Sequence, residues 1–150
     1  MLYPYQNPQI ITYSNLLNKS YFNLTQKYLL NSSNISKDLY YANFVLVSHG
    51  NQKDPIFCYA NLAAQSLWGI TWDDFVQMPS RLTVMPDSVD ERQQLLNRAS
   101  KMGYVDNYRG IRVTKDGKKF LIDNTILWNV VDENGINHGQ AAAIYTWKML

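Results

Sequence analysis

The chain has 150 residues, of which 46% are hydrophobic and 13% aromatic, and this composition predicts a single domain with one core. The formal charge is only +2 and the basic residues are scattered among acidic ones, which argues against nucleic acid as a partner, while one cysteine and two distant histidines exclude an internal disulfide and disfavour a metal site. No signal peptide and no long apolar run is present, so the expected location is the cytoplasm, without a membrane partner.

The N-terminal part is predicted to be helical. Apolar residues recur at intervals of three and four from Ile10 to Tyr28, which predicts an amphipathic helix over about Gln9 to Leu30. The polar run 31–34 should end it, and a second short helix is expected over 35–41.

Two short strands and two short helices are predicted next. The strands, at 44–48 and 56–60, flank a loop rich in turn-forming residues. Asn61 is placed to cap a helix that Gly69 ends, and Thr71 is placed to cap a second one.

A capped helix and a three-stranded meander are predicted in the C-terminal half. Ser88 and Glu91 form a capping-box pattern at the start of a helix that Gly103 ends. The two-residue period then predicts strands at 105–114, 118–131 and 139–149. Asp116-Gly117 and Asn134-Gly135 are typical of two-residue hairpin turns.

Several motifs in this sequence resemble a known family. They are VSHG at 47–50, DPIFCYAN at 54–61, LW at 67–68, QMPSR at 77–81 and the tail 139–150. Present together and in this order, they resemble the MEKHLA domain, a PAS-like family found in plant homeodomain-zipper proteins and as stand-alone bacterial proteins, particularly in cyanobacteria. The resemblance covers nearly the whole chain.

The resemblance implies an α+β fold, namely a PAS-like five-stranded antiparallel sheet in the order 2-1-5-4-3 with short helices on one face. Residues 1–42 would be an N-terminal helical extension of the PAS-like core, 43–150. It implies a sensory or regulatory role, with no catalytic residue. Photoreceptive relatives attach flavin through a cysteine, and haem-binding relatives often use a histidine of the long helix. Because 71–81 has no cysteine and 87–103 no histidine, no cofactor is expected.

The meander predicts a polar row on an apolar face. Two-residue turns would place Arg109 opposite Asn124, and Asn124 opposite Tyr145. A buried arginine is costly unless paired, so the row would bond to itself, to water or to a ligand, unless a bulge turns Arg109 outward. The predicted ligand-binding residues are Arg109, Asn107, Asn124, Trp128, Ala141, Ala143 and Tyr145.

The first functional interpretation is a non-enzymatic sensory module that binds an unidentified small, partly apolar molecule and acts through a homodimer or a partner protein. The alternatives are an interaction module with a filled core and an enzyme like the cone-fold isomerases and dehydratases. Such an enzyme would need Asp106 or Asp123 as its base, and the predicted register turns both away from the polar row. The N-terminal helix, of the same chain or of a second subunit, is expected to cover that opposite face.

Overall fold

The computed structural model describes residues 2–84 and 89–150. Its helices are α1 (Pro8–Thr25), α2 (Ile35–Tyr40), α3 (Leu62–Trp68), α4 (Trp72–Phe75) and α5 (Val89–Met102), with 3-10 turns at Pro4–Gln6 and Ser80–Thr83. Its strands are β1 (Val45–His49), β2 (Phe57–Ala60), β3 (Tyr104–Val113), β4 (Lys119–Val131) and β5 (Asn137–Met149). The capping box predicted at Ser88 lies outside the described residues.

The five strands form one antiparallel sheet in the order β2-β1-β5-β4-β3, which confirms the predicted PAS-like α+β fold. Helix α1 ends earlier than the prediction of Leu30, because Gln26 adopts a left-handed φ of 65° and its N–H bonds the Phe22 carbonyl at 2.7 Å. None of the described helices is long and apolar enough to cross a membrane.

Asn61 joins three parts of the fold through its fully buried side chain. Its Oδ1 accepts from the Ala64 N–H at 3.1 Å, which confirms the predicted cap of α3, and from the Leu46 N–H of β1 at 3.0 Å. Its Nδ2 donates to the carbonyls of Leu39 in α2 and of Phe44, at 3.1 and 2.8 Å. One side chain thus satisfies four buried backbone groups.

The first meander turn is one residue longer than predicted. The Thr114 N–H donates to the Lys118 carbonyl at 2.8 Å and the Gly117 N–H donates to the Thr114 carbonyl at 3.0 Å, so three residues separate the strands. Gly117 has a φ of 82°, as in a type I turn followed by a left-handed glycine. Phe120 therefore pairs with Arg112, one residue away from its predicted partner.

The second turn also holds three residues, but the register beyond it is as predicted. The Asp132 N–H donates to the Ile136 carbonyl at 2.9 Å, which closes the turn. The pairing then shifts by one residue at a bulge that includes Gly139, with a φ of 141°. The two offsets cancel, and Trp128 pairs with Ala141 as predicted.

Two further bulges change which side chains face each side of the meander. Asn107 on β3 and Asn124 on β4 have φ values of 55° and 47°, and the pairing of the two strands shifts at both places. Asparagine tolerates this left-handed conformation better than other residues with a side chain. Because the second bulge breaks the alternation, Ile122 contacts the cluster of α3 and α4 whereas Ile126 packs in the cluster of α1.

Helix α1 covers the sheet face opposite to the one predicted for it. We define the α1 face by the buried strand residues Leu46, Ile126, Trp128, Val130, Ala141 and Ala143, which pack with Leu17 and Tyr21 of α1. Trp128 Nε1 donates to Ser20 Oγ at 3.1 Å, and the Trp128 and Tyr21 rings meet edge to face at 5.0 Å. The pattern could not decide between the faces because both are apolar.

Helices α3, α4 and α5 cover the other side, which we call the α5 face. Its strand residues include Val45, Val47, Phe57, Phe120, Ile122, Leu127, Ala142 and Ile144. Trp68 of α3 fills one end, with its ring 5.2 Å from that of Phe120 and 5.8 Å from that of Phe75. Leu95, Leu96 and Ala99 of α5 cover the other end. Helices therefore cover the central strands of the sheet on both sides.

Candidate functional site

A cavity of about 60 Å³ lies on the α5 face, between α5, the sheet and the 80–83 turn. Most of its wall is apolar, from side chains such as Leu95, Ile122 and Ala142. The polar residues in the wall include Ser48, His49, Thr83, Arg92, Arg112, Thr125 and Gln140. Apolar walls with a few convergent polar groups are typical of small-molecule sites.

Arg92 brings a buried charge to this cavity. Its side chain is 8% exposed, and its Nη2 donates a hydrogen bond to Ser80 Oγ in the 80–83 turn. Burial lowers the pKa of Arg92 to about 10, with the nearby charge of Arg112 acting in the same direction and that of Asp54 acting against it. The guanidinium therefore stays protonated at neutral pH.

The side chain of Gln140 lines the cavity and is held in one orientation. Its Nε2 donates to the Leu96 carbonyl at 3.0 Å and to Asn129 Oδ1 at 3.2 Å. Because both donated bonds go to protein groups, Gln140 Oε1 is the atom left to receive a bond from a ligand or a water.

His49 also reaches the cavity, as a neutral ring. Its Nδ1 lies 3.0 Å from the Gly50 carbonyl, and burial lowers the pKa of the imidazole. A neutral ring that donates from Nδ1 has Nε2 as an acceptor. No hydrogen-bond partner for this buried Nε2 lies among the residues that the structure describes.

The sequence-predicted binding residues do not form one site. Trp128 and Ala143 are buried beneath α1, as is Ala141, which also borders the cavity beneath α5. The Arg109 side chain is 67% exposed and lies 3.9 Å from the carboxylate of Asp123. Arg109 is therefore not buried, and of the alternatives left open by the sequence the structure shows the one in which a bulge turns Arg109 outward.

The remaining predicted residues line an open groove at the end of α1. Asn107, Asn124 and Tyr145 meet there with Tyr21 and Lys27, around a volume of about 360 Å³. Burial raises the pKa of the Tyr145 hydroxyl, with Tyr21 acting in the same direction. Ligand binding at these residues stays a prediction.

The carboxylates that an enzyme would need lie away from the cavity beneath α5. Asp106 is exposed in the groove, and Asp123 lies beside Arg109. Among residues 2–84 and 89–150, no group of three or more His, Cys, Asp or Glu side chains is placed to hold a metal ion.

Arg92 is a candidate site residue that the sequence analysis missed, although a signal was present. Leu95, Leu96 and Ala99 follow it at the three-, four- and seven-residue spacing of one helix face. Arg92 thus lies on the apolar stripe of α5. A charge on a buried stripe is unusual enough to mark a candidate site.

A family model described as the MEKHLA domain matches residues 11–149. The chain belongs to the MEKHLA domain family. No curated protein matches this MEKHLA chain significantly.

Solved structures share the fold of this MEKHLA chain. A PAS domain from Colwellia psychrerythraea aligns with a TM-score of 0.64 and 17% identity, over 73% of this chain and 91% of that one. The light-state dimer of the fungal blue-light photoreceptor Vivid aligns with a TM-score of 0.61 and 17% identity, over 85% and 90%. A Light-Oxygen-Voltage domain studied with a flavin analogue aligns with a TM-score of 0.59 and 16% identity, over 77% and 83%. The chain therefore has the fold of PAS and Light-Oxygen-Voltage sensory domains.

The residues of this MEKHLA chain do not fit a covalently attached flavin. Its single cysteine, Cys58, lies on β2, with Sγ 3.6 Å from the Ser48 carbonyl and beside Tyr13 of α1. Burial raises the pKa of this thiol, which disfavours the reactive thiolate. The cavity of about 60 Å³ is also small for a three-ring molecule, since at about 10–15 Å³ for each water it has room for only a few waters.

Proposed function

We propose that this MEKHLA chain is a sensory module that takes a small, partly apolar ligand into the cavity beneath α5. Ligand binding in this cavity is signalled to a second copy of the chain or to a partner protein. In this proposal the chain works in the cytoplasm as one domain, in which the extension 1–42 and the core 43–150 act together without catalysis. The observation that carries the proposal is the cavity, with apolar walls and polar groups held in fixed orientations.

The size of the cavity limits the ligand. On the same measure a single water needs about 10–15 Å³, so a cavity of about 60 Å³ suits a few waters or a molecule of a few non-hydrogen atoms. A larger ligand would require α5 to move away from the sheet. The proposal therefore concerns small metabolites.

The first experiment is a search for the ligand in protein purified under native conditions. Native mass spectrometry detects a retained molecule, and thermal shifts with small compounds detect one that has been lost. Ala142→Leu extends a side chain into the cavity and is expected to abolish both signals. Thr146→Leu, at an exposed position of the same strand, is the matched control. Retained binding in Ala142→Leu would exclude this cavity as the site.

The groove at the end of α1 is a second location for the ligand. Asn107, Asn124 and Tyr145 supply amide and hydroxyl groups there, but their side chains are open to solvent. If the ligand binds in the groove, Asn107→Ala combined with Tyr145→Phe reduces binding and Ala142→Leu does not. The opposite pattern favours the cavity.

A chain of hydrogen bonds through Ser48 supports a role of α1 in the output. Ser48 Oγ donates to the Gln140 carbonyl at 2.8 Å and lies 2.8 Å from the Tyr13 hydroxyl, which must then be the donor to Ser48. Gln140 lines the cavity and Tyr13 lies on α1. A ligand that forms a hydrogen bond with Gln140 can therefore alter the position of α1 on the sheet.

The exposed end of the extension is our candidate for contact with a second copy. Tyr3 and Tyr41 are 58% and 47% exposed and both pack against Tyr5, at 5.6 and 5.4 Å between ring centres. Sedimentation velocity over a range of concentrations is expected to show a dimer that Tyr3→Ser with Tyr41→Ser weakens. Tyr28→Ser, at another exposed tyrosine, is the control. An unchanged dimer in the double variant would place the contact elsewhere.

The filled core of the α1 face favours a second candidate, a pure interaction module. In that case no compound binds, and Ala142→Leu stabilises the protein without any effect on the dimer or on partner binding. The two candidates differ in whether filling the cavity changes the output.

A further inference from the structure

The cavity beneath α5 contains a positive charge that has no ion-pair partner among residues 2–84 and 89–150. Within the described residues, the buried Arg92 side chain donates a hydrogen bond to the uncharged hydroxyl of Ser80. Among the residues that the structure describes, no carboxylate lies within 4.0 Å of this guanidinium. Asp54, whose charge acts on Arg92 from a greater distance, pairs with Arg81 at 3.2 Å instead. A bound anion would offset the free-energy cost of the buried charge.

A second guanidinium lines the same cavity. Arg112 lies on β3, its Nη1 donates to the Ile111 carbonyl at 3.0 Å, and its guanidinium carbon lies 5.6 Å from the centre of the Tyr108 ring. These contacts leave most donors of Arg112 free of protein partners in the part of the chain that the structure describes. Two like charges at one cavity favour an anion between them.

The rest of the wall decides which kind of anion fits. Leu95, Ile122 and Ala142 present an apolar surface to the cavity. An inorganic anion would lose hydration against this surface without gaining bonds from it. A carboxylate with a short alkyl chain matches both parts, because guanidinium groups bind carboxylates through paired hydrogen bonds.

We propose that the cavity binds a short-chain monocarboxylate. Its carboxylate lies at Arg92 and Arg112, and its alkyl chain lies against Leu95 and Ile122. The volume of about 60 Å³ admits about four to six non-hydrogen atoms, the size range of acetate, propionate and butyrate. This inference rests on the proposed function, because it names the ligand class of the same cavity.

Calorimetry and thermal shifts at constant ionic strength test the ligand class. The probes are the sodium salts of acetate, propionate, butyrate and octanoate, with chloride, phosphate and uncharged propionamide as comparators. Propionate and butyrate are expected to bind saturably and to raise the melting temperature. Octanoate is too long for the cavity, and propionamide lacks the charge, so neither should do so.

Variants of three arginines test the named contacts. Arg92→Met is expected to weaken propionate binding by about 30-fold or more, because a charge-assisted contact in a buried site is lost. Arg109→Met removes an exposed arginine of β3 and should leave binding unchanged. Arg112→Met tests the second contact and is expected to weaken propionate binding by about 10-fold.

The ligand-free melting temperature shows whether Arg92→Met folds. Because the substitution removes a buried charge, this temperature is expected to equal or exceed that of the unchanged protein. If Arg92→Met does not fold, the effect of Arg112→Met on propionate binding is the test of the arginine contacts.

Each remaining result has one meaning. Equal stabilisation by phosphate or chloride overturns the carboxylate class. Equal binding of propionamide, insensitive to the arginine variants and abolished by Ala142→Leu, overturns the anion but leaves the proposed function standing. Binding of propionate that survives Ala142→Leu and both cavity arginine variants overturns the site. Absence of binding by every probe, together with no retained molecule in the unchanged protein, overturns both proposals.

Discussion

The two faces of the sheet are made from the same strands, but they are packed in different ways. On the α1 face, alternate alanines of β5 lie under large side chains, and Trp128 is fully buried against Tyr21 and Ser20. On the α5 face, Ala142 borders a cavity, and the buried side chains that line this cavity from α5 include the charged Arg92 beside Leu95 and Leu96. The tight packing of the α1 face stabilises the fold. The α5 face contains a cavity and a buried charge, and both lower the stability of the fold.

The largest expected effect comes from emptying the α1 face. Trp128→Ala removes the side chain that α1 covers and is expected to lower the free energy of unfolding by about 3–5 kcal/mol. Urea denaturation followed by circular dichroism measures it. Trp147→Ala, at a half-buried position of β5, is the control and should cost clearly less. Equal costs would mean that the α1 face is not the more tightly packed one.

The second prediction compares neighbouring alanines that face opposite sides. Ala143→Val overfills the α1 face and is expected to destabilise by about 1–3 kcal/mol. Ala142→Val adds the same two methyl groups beside the cavity and should change stability by less than about 0.5 kcal/mol. Thermal and urea unfolding of both variants give the difference. The reverse order would contradict the assignment of the cavity to the α5 face.

A smaller effect is expected from the hydrogen bond that fixes α1 to β1. Tyr13→Phe removes the hydroxyl that bonds Ser48 Oγ at 2.8 Å and should cost about 1 kcal/mol. Hydrogen exchange of the α1 amides, measured with the unfolding free energy, shows whether the loss is local. Tyr28→Phe, at a residue that is 53% exposed, should leave both unchanged.

The smallest expected effect is a pH dependence from the α5 face. Burial lowers the pKa of His49 from its ordinary value of 6.5, so the unfolded chain binds a proton that the folded chain resists. Stability therefore falls as the pH decreases through about 6.5 and below, towards the lower pKa of the folded state. Urea unfolding at several pH values measures the slope. His49→Gln should reduce this slope; a slope unchanged in His49→Gln would contradict the neutral, buried ring.

The strand order was implied by the family resemblance, and the bounds of the short capped helix α3 could be predicted from the sequence because local signals determine them. Asn61 and Gly69 act on the residues next to them, and the capped helix between them lies where the sequence predicts. The motifs around them occur in an order that specifies the topology. These features require no knowledge of distant contacts.

The site could not be predicted in the same way, because it depends on small offsets between strands. Asp116-Gly117 is compatible with turns of two or three residues, and the structure has three. The left-handed conformations of Asn107 and Asn124 then turn Arg109 to the surface. Which apolar face α1 covers is a question of fit between side chains, which alternation does not specify. Arg92 could have been predicted, because its position on an apolar stripe of α5 is visible in the sequence.

The bulge at Gly139 has a consequence for errors of strand pairing. A slip of β5 by one residue would exchange its two faces, but Ala141, Ala142 and Ala143 would still present alanine to both sides. Side-chain packing at these three alanines therefore gives little preference for the native strand pairing over the slipped one. Gly139 supplies the missing discrimination, because a Cβ at this position would lie 1.9 Å from the His49 carbonyl oxygen, so a residue with a side chain cannot take its place beside β1. Gly139 thus helps to fix the pairing register of β5.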